Sequence, residues 1–383
     1  MKIGIITEFS EDTVNYGNSL QAYALNFFLR QWMGTAQVET IRIRPSWSMS
    51  LWTKRVPARV VLWNAWSIFK RKVCKGDGFP EREGRRNAFM EFTGNHIPQS
   101  SGRIAYEEMA QQDYDAYIVG SDVVWSQHRY GINRLKLLDF QGKAPFRRIS
   151  YAASFGRDWI PEENREAVGR CLGCFDAVSV REKSSVQMLR SMGMEGCVHA
   201  LDPTLLLTAE EWEGVEAEPE EIKGERFVFV YLLGADVRQY REIERVCRKA
   251  GLKMVVIPYA SGKRNGEDRE IGDIQIWECS PPNWVWLVHH AEYIVTDSFH
   301  GLAFSTIFRK RFLVVERTGS NLGNRLTDYL NTIAQEDKLV QMDKVESLAD
   351  FEWDYGLIAG RIAEAREKSV DFLARSLRRE QCT

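Results

Sequence analysis

Short apolar runs alternate with amphipathic stretches along almost the whole chain. Lys2 to Thr7, KIGIIT, is strand-like, and the loop EFSEDTVNYG follows it. In NSLQAYALNFFLRQW, positions Leu20, Tyr23, Ala24, Phe27, Phe28 and Gln31 keep a helical period, which predicts a helix. Asn18 is placed to cap it, with Gln21 three residues on in a capping-box arrangement. VETIRI is the next strand. DAYIVGSD repeats the pattern, with Ala116 to Val119 as the strand and Gly120, Ser121 and Asp122 as its carboxyl-end turn. RRISYAAS, a helix from about Pro161, FDAVSVR, the helix EKSSVQMLRSMG and finally CVHALDPTLLL continue the alternation. A second series then runs through RFVFVYLL, a helix from Asp236 to Ala250, KMVVIPY, a helix near Asn283 to His290, EYIVTD, a helix after Gly301, and RFLVVE. Strand–helix alternation of this kind predicts parallel α/β sheets.

Between the two series lies AEEWEGVEAEPEEIKGER, acid-rich and weakly apolar, which reads as a solvated connection. The expected organisation is an α/β domain over 1–208 with a tryptophan-rich, basic helical insert at about 46–96, a linker at 209–226, a second α/β domain over 227–345 and a helical tail at 346–383. Ligands in such sheets sit at the carboxyl ends of the strands, so two halves point to the cleft between them.

Composition narrows the class. Of 383 residues 44% are hydrophobic, enough for two cores, and 51 basic against 53 acidic residues leave a formal charge of −2. No global field for nucleic acid follows, and no RNA-binding motif is present. MKIGIITEFSEDT reads as a first strand and not as a signal peptide, and no apolar run is long enough to span a bilayer. Seven cysteines scattered over a long chain fit reduced thiols in a cytoplasmic protein. From Trp47 to Lys75 the chain is rich in tryptophan and bases, with Leu62, Trp66, Phe69 and Val73 at helical spacing beside Lys70, Arg71 and Lys72. That stretch suits either peripheral contact with the inner face of a membrane or a helical insert packed on the first domain.

The candidate chemistry lies at strand ends. In TDSFHGLAFSTIF, from Thr296 to Phe308, His300 stands where a strand turns into a helix, a place where unpartnered N–H groups collect anions. It reads as a general acid/base or as a packed turn residue, and Asp297 could orient its ring or accept a proton. Arg181 ends FDAVSVR and is either a phosphate or carboxylate clamp or the partner of Glu182. Asn15, Tyr16, Gly17 and Asn18 form a loop into a helix where backbone can approach a ligand, and Ser121 and Asp122 could bond sugar hydroxyls. Cys171 and Cys174 form a CxxC with Cys197 and His199 further on, but buried free thiols are the simpler reading, and no metal is expected. GxGxxG after a strand, GxxxxGK[ST] and GxSxG are all absent, which argues against dinucleotide, Walker-type and α/β-hydrolase sites.

NYGNSLQAYAL, GSDVVW, SVREKSSVQMLRSMG with a later DPTLLL, and TDSFHGLAFSTIF, in that order, resemble the polysaccharide pyruvyl transferase family across about residues 3 to 330. The resemblance implies a two-domain, GT-B-like fold and transfer of a pyruvyl group from phosphoenolpyruvate to a saccharide, as a ketal. It implies His300 as acid/base, and Arg325 (in NRLTDYL), which matches a family stretch loosely, joins Arg181 as an expected anion contact. Ser298 stands where some members carry a basic residue. The expected partners are phosphoenolpyruvate and a saccharide acceptor, free or lipid-linked, with no further cofactor. Two other readings compete: a GT-B-type glycosyltransferase using a nucleotide sugar, and a non-catalytic scaffold of a polysaccharide assembly complex.

Overall fold

The computed structural model describes residues 1–9, 14–34, 36–44, 50–52, 80–126, 131–222, 224–234, 237–258, 271–316 and 324–378. The strands are β1 Lys2–Ile6, β2 Gln37–Thr40, β3 Ser50–Trp52, β4 Ala116–Val119, β5 Gly131–Asn133, β6 Arg147–Ala153, β7 Ala177–Val180, β8 Val198–His199, β9 Phe227–Tyr231, β10 Lys253–Val256, β11 Ile274–Gln275, β12 Tyr293–Thr296, β13 Arg311–Val315 and β14 Leu339–Val340. The helices are α1 Tyr16–Met33, α2 Pro80–His96, α3 Glu162–Leu172, α4 Lys183–Arg190, α5 Ala209–Glu213, α6 Val237–Ala250, α7 Pro281–His290, α8 Phe299–Ile307, α9 Asn324–Ile333 and α10 Tyr355–Leu377.

Two six-stranded sheets result, ordered β2-β1-β4-β6-β7-β8 and β11-β10-β9-β12-β13-β14, and every pairing within them is parallel. Their central strands are buried throughout, as in AYIV of β4 and FVFVY of β9, because helices cover both faces. The strand order reverses between β1 and β4 in one sheet and between β9 and β12 in the other, so each sheet opens a crevice at those carboxyl ends. β3 pairs with β5 as a small antiparallel ribbon.

α1 starts earlier than its apolar period alone suggests. Asn15, not Asn18, is the cap, and its side chain accepts the Asn18 N–H at 3.2 Å. Gln21 turns inward, donating to Thr7 Oγ1 at 2.8 Å at the end of β1.

The two lobes share one hydrophobic core. Tyr16 and Leu20 from the first lobe and Tyr231, Trp284 and Phe304 from the second belong to the same buried cluster. The 209–226 connection was expected to be solvated, yet it is pinned into this core. Trp212 is fully buried with its indole N–H on the Thr204 carbonyl, and Ile222 is buried too. A capping box of Thr208 and Glu211 sets the short α5 that delivers Trp212. The insert also reaches across: Arg85 on α2 is buried and donates to the carbonyls of Trp277 at 2.7 Å and Pro258 at 3.0 Å in the second lobe. Leu62, Trp66, Phe69 and Val73 lie outside the described residues. The tail helix α10 returns to the first lobe, where Ser369 Oγ accepts the Leu201 N–H at 2.9 Å. Among the described residues no helix is long and apolar enough to cross a membrane.

Candidate functional site

The carboxyl-end turns of the two sheets meet. The first sheet supplies Ser121 and Asp122 after β4, Arg181 and Glu182 after β7, and Asp202 after β8; the second supplies Asp297 to His300 after β12. α8 begins at Phe299 because Ser298 Oγ accepts the Gly301 N–H at 3.4 Å, while the Ser298 N–H donates to Thr296 Oγ1 at 3.0 Å. Ser298 is thus a buried helix cap. Gly301 is required beside it, since a Cβ there would lie 2.4 Å from Thr296 Oγ1.

This start aims His300 across the lobe boundary. The ring is 7% exposed, and its Nε2 stands 3.6 Å from Asp202 Oδ2 in the other lobe. Nε2 has no hydrogen-bond partner in the protein. The first turn of α1 lies against the other side of the ring: a Cβ on Gly17 would fall 2.1 Å from His300 Nδ1.

The carboxylate beside the ring is therefore Asp202, not Asp297. Asp297 accepts the N–H groups of Leu233 at 2.7 Å and Gly234 at 2.9 Å, bridging the ends of β12 and β9. Asp202 is buried and well held: Oδ2 accepts from Ser121 Oγ at 2.7 Å and Arg181 Nη1 at 2.9 Å, and Oδ1 accepts from the Thr204 N–H at 3.1 Å and Thr204 Oγ1 at 2.9 Å. Burial pushes its carboxyl up, but the His300 ring, Arg181 and the Ser121 hydroxyl outweigh that and hold it well below the usual carboxylate range.

Arg181 takes up the ion pair that its neighbour suggested. Nε donates to Glu182 at 3.1 Å, Nη1 stands 3.7 Å from Asp122, and the guanidinium carbon lies 4.4 Å from the centroid of the Phe299 ring. Burial works against its charge, but Glu182, Asp202 and Asp122 raise its pKa above the ordinary arginine value. Nη2 remains buried without a protein partner, as does Glu182 Oε2. Buried polar atoms are almost always satisfied, so orphans gathered at one place, with His300 Nε2 among them, mark a binding region. Asp122 adds a second mark: it holds φ 65, which few non-glycine residues adopt.

A narrow slot opens here, lined among others by Arg181, Asp202, Phe299, Arg325, Asp328 and Tyr329. Arg325, in the first turn of α9, and Arg181 stand on its wall from opposite lobes. His300 adjoins the slot through Asp202 and Phe299. His199 also lines it, its pKa pushed down to about 4 first by burial and then by Lys183.

The other sequence candidates divide. Gly17 touches His300, and Ser121 holds Asp202. Asn15 is exposed and serves as a cap. Asn18 gives its N–H to that cap. Tyr16 is sealed in the shared core, its hydroxyl donating to the Cys279 carbonyl at 2.9 Å and its ring stacked on Trp284 at 5.7 Å. An OH on an aromatic ring that large serves as an inter-lobe peg and not as a ligand contact. Cys171, Cys174, Cys197 and His199 do not gather within reach of one ion. Asp202 and Asp328 are not singled out by the sequence pattern, although Asp202 is visible as the acid that ends the β8 turn in ALDPTLLL.

A family model described as polysaccharide pyruvyl transferase matches residues 15–319. No curated protein matches the chain in sequence. Among solved structures, the UDP-GlcNAc 2-epimerase of Methanocaldococcus jannaschii, in complex with UDP-GlcNAc and UDP, superposes with a TM-score of 0.50 at 12% identity, covering 98% of this chain and 100% of that one. A protein of Listeria monocytogenes described as a UDP-N-acetylglucosamine 2-epimerase gives 0.52 at 12% identity, over 97% of this chain and 95% of its own. The Escherichia coli heptosyltransferase WaaC with ADP gives 0.40 at 11% identity, over 85% and 90%. At these identities the likeness is one of fold: two Rossmann-like domains in the GT-B arrangement.

Proposed function

Because the chain belongs to the polysaccharide pyruvyl transferase family, we propose that it transfers a pyruvyl group from phosphoenolpyruvate to two hydroxyls of a saccharide made for the cell surface. The observation that carries this reading is the inter-lobe placement of His300, with a buried, unpartnered Nε2 next to Asp202 and the slot that bears Arg181 and Arg325.

In this reading the donor's phosphate and carboxylate lie against Arg325, Arg181 Nη2 and the N–H groups of the first turn of α8. His300 gives a proton to C3 of the enol, making C2 electrophilic, and a sugar hydroxyl attacks C2 and returns its own proton to the now neutral His300. Phosphate leaves with the C2–O bond pair, and the second hydroxyl closes the ketal, its proton going to phosphate or solvent. Asp202, 3.6 Å from Nε2, holds the ring between the lobes. The substrate, a soluble anion, fits a cytoplasmic enzyme acting on a free or lipid-linked acceptor.

The nucleotide-sugar alternative is disfavoured by Asp297. In Rossmann-like domains the turn after the first strand receives phosphate with its backbone N–H groups. Here the Leu233 and Gly234 N–H groups after β9 already hold a carboxylate of the protein itself. The scaffold alternative has no use for orphaned buried polar atoms.

The test is a pair of measurements. Phosphoenolpyruvate should raise the melting temperature where inorganic phosphate and UDP- or ADP-sugars do not. His300→Ala should abolish phosphate release from phosphoenolpyruvate in the presence of an acceptor saccharide. Stabilisation by a nucleotide sugar alone, or full turnover by His300→Ala, refutes the reading.

A further inference from the structure

At the edge of the second sheet away from the slot, α7 ends in two consecutive histidines, since the helix runs antiparallel to β12 that follows it. Glu216, from the connection between the lobes, sets its carboxylate between them. Oε2 stands 2.9 Å from His289 Nδ1, and Oε1 stands 3.2 Å from His290 Nε2. The donor atoms of the three residues lie within 4.8 Å of one another. The second nitrogen of His289, Nε2, lies 3.9 Å from Glu213 Oε1. Neither ring is free to turn: His290 stacks on Trp286 and His289 on Phe308, each with centroids 4.3 Å apart.

We propose that Glu216, His289 and His290 form a binding site for a divalent cation of the zinc class. Two imidazole nitrogens and one carboxylate oxygen are a donor set that zinc and cobalt(II) accept, whereas magnesium and calcium prefer oxygen alone. Bonds of about 2.0–2.1 Å in a tetrahedron put neighbouring ligand atoms about 3.3 Å apart. The observed 2.9 and 3.2 Å run to the two different oxygens of the Glu216 carboxylate, so that group must turn one oxygen toward both rings to complete the set. Glu213 lies 3.9 Å from the non-ligating nitrogen of His289, beyond hydrogen-bond reach, and adds negative charge beside the site. Aromatic stacking has already fixed both rings, so little side-chain freedom is lost on binding.

The site's place in the fold assigns its role. It lies at the amino edge of the second sheet, away from the carboxyl-end turns where His300 stands. Its carboxylate comes from the same connection that buries Trp212, and Ala217 next to Glu216 pairs with α7 through the Pro282 carbonyl at 3.2 Å and the Asn283 side-chain amide at 2.9 Å. A cation here fastens the inter-lobe connection to the second lobe and takes no part in group transfer.

The test uses untagged, chelator-treated full-length protein titrated with cobalt(II), then with zinc. One equivalent of cobalt should bind with visible d–d absorption, zinc should displace it, and either metal should raise the melting temperature. Glu216→Gln should remove the absorption. So should His290→Phe, which keeps the stack on Trp286. A clasp made of hydrogen bonds alone gives no cobalt absorption in the parent protein, and that result overturns the proposal. So does absorption that survives both substitutions. If one variant does not fold, the parent titration and the other variant still decide.

Discussion

Gly17→Ala probes the His300 geometry without replacing a polar side chain. Gly17 sits in the first turn of α1 with ordinary helical backbone, so alanine introduces no backbone strain and improves helix propensity by about 1 kcal/mol. The new methyl would lie 2.1 Å from His300 Nδ1, 2.5 Å from Cε1 and 2.9 Å from Cγ, where ordinary contact begins at 3.4 Å. Ring and helix must therefore separate by about 1.3 Å, the difference between the 3.4 and 2.1 Å contacts. Overpacking of this kind costs about 1–3 kcal/mol, so after the helix gain net stability falls by no more than about 2 kcal/mol. Catalysis is less forgiving: a misplacement of about 1 Å at a reacting group can lower the rate about 100-fold. The expected outcome is a folded protein whose turnover of phosphoenolpyruvate falls at least that far. The assay is initial-rate phosphate release with saturating donor, run beside urea unfolding of the same preparation. Wild-type turnover in Gly17→Ala would refute the argument, because it would mean that the ring can leave its place beside Asp202 without consequence.

Three other outcomes follow from named contacts. Asp202→Asn removes one of three carboxylates around buried Arg181 and leaves Glu182 and Asp122, so it should cost about 1.5–3 kcal/mol, the worth of a charged hydrogen bond, read as a lower urea midpoint; an unchanged midpoint would refute the pairing. Tyr16→Phe leaves the Cys279 carbonyl without its donor and should cost about 1–3 kcal/mol while leaving the stabilisation by phosphoenolpyruvate unchanged. His199 has a folded pKa of about 4 against an ordinary 6.5, so the unfolded chain binds the extra proton between those values. Its contribution is complete above about pH 6.5 and is lost as pH falls toward 4, by at most about 3 kcal/mol. Unfolding midpoints of wild type and His199→Gln across pH 4 to 7 should converge in slope only if another group dominates.

The alternation of apolar strands with periodic helices was enough to read both parallel sheets, because strands buried on two faces leave near-continuous apolar runs such as FVFVY. Strand-end placement likewise singled out His300, Arg181, Ser121 and Gly17, all of which the fold draws to one boundary. What escaped was pairing. Nothing in TDSFHG indicates that Asp297 will bind amides after β9 while Asp202, almost a hundred residues earlier in sequence, faces the histidine. Composition also misled at AEEWEGVEAEPEEIKGER, where a single tryptophan and a single isoleucine anchor the segment in the core. Tyr16 looked like a ligand contact because it sits in a glycine-bearing loop; only the three-dimensional position of Trp284 reveals it as a peg.

These pairings bear on how the site is assembled. Domains joined by a small polar interface are expected to move relative to one another, and a large apolar interface opposes that motion. Here Tyr16, Trp212, Trp284 and Phe304 pack across the boundary in one core, with Arg85 on second-lobe carbonyls and Ser184 Oγ donating to Asp328 at 2.7 Å. Opening the lobes would expose that aromatic surface and unpair buried Arg85, each at a cost of order kcal/mol. The His300–Asp202 apposition is accordingly maintained by apolar packing and does not wait for a ligand to close it. It follows that the slot between Arg181 and Arg325 is where adjustment must occur, through α9 and the side chains on it. Substitutions on α9 that leave Tyr329 in place should alter donor affinity, whereas substitutions in the Tyr16–Trp284 contact should alter stability with donor affinity unchanged.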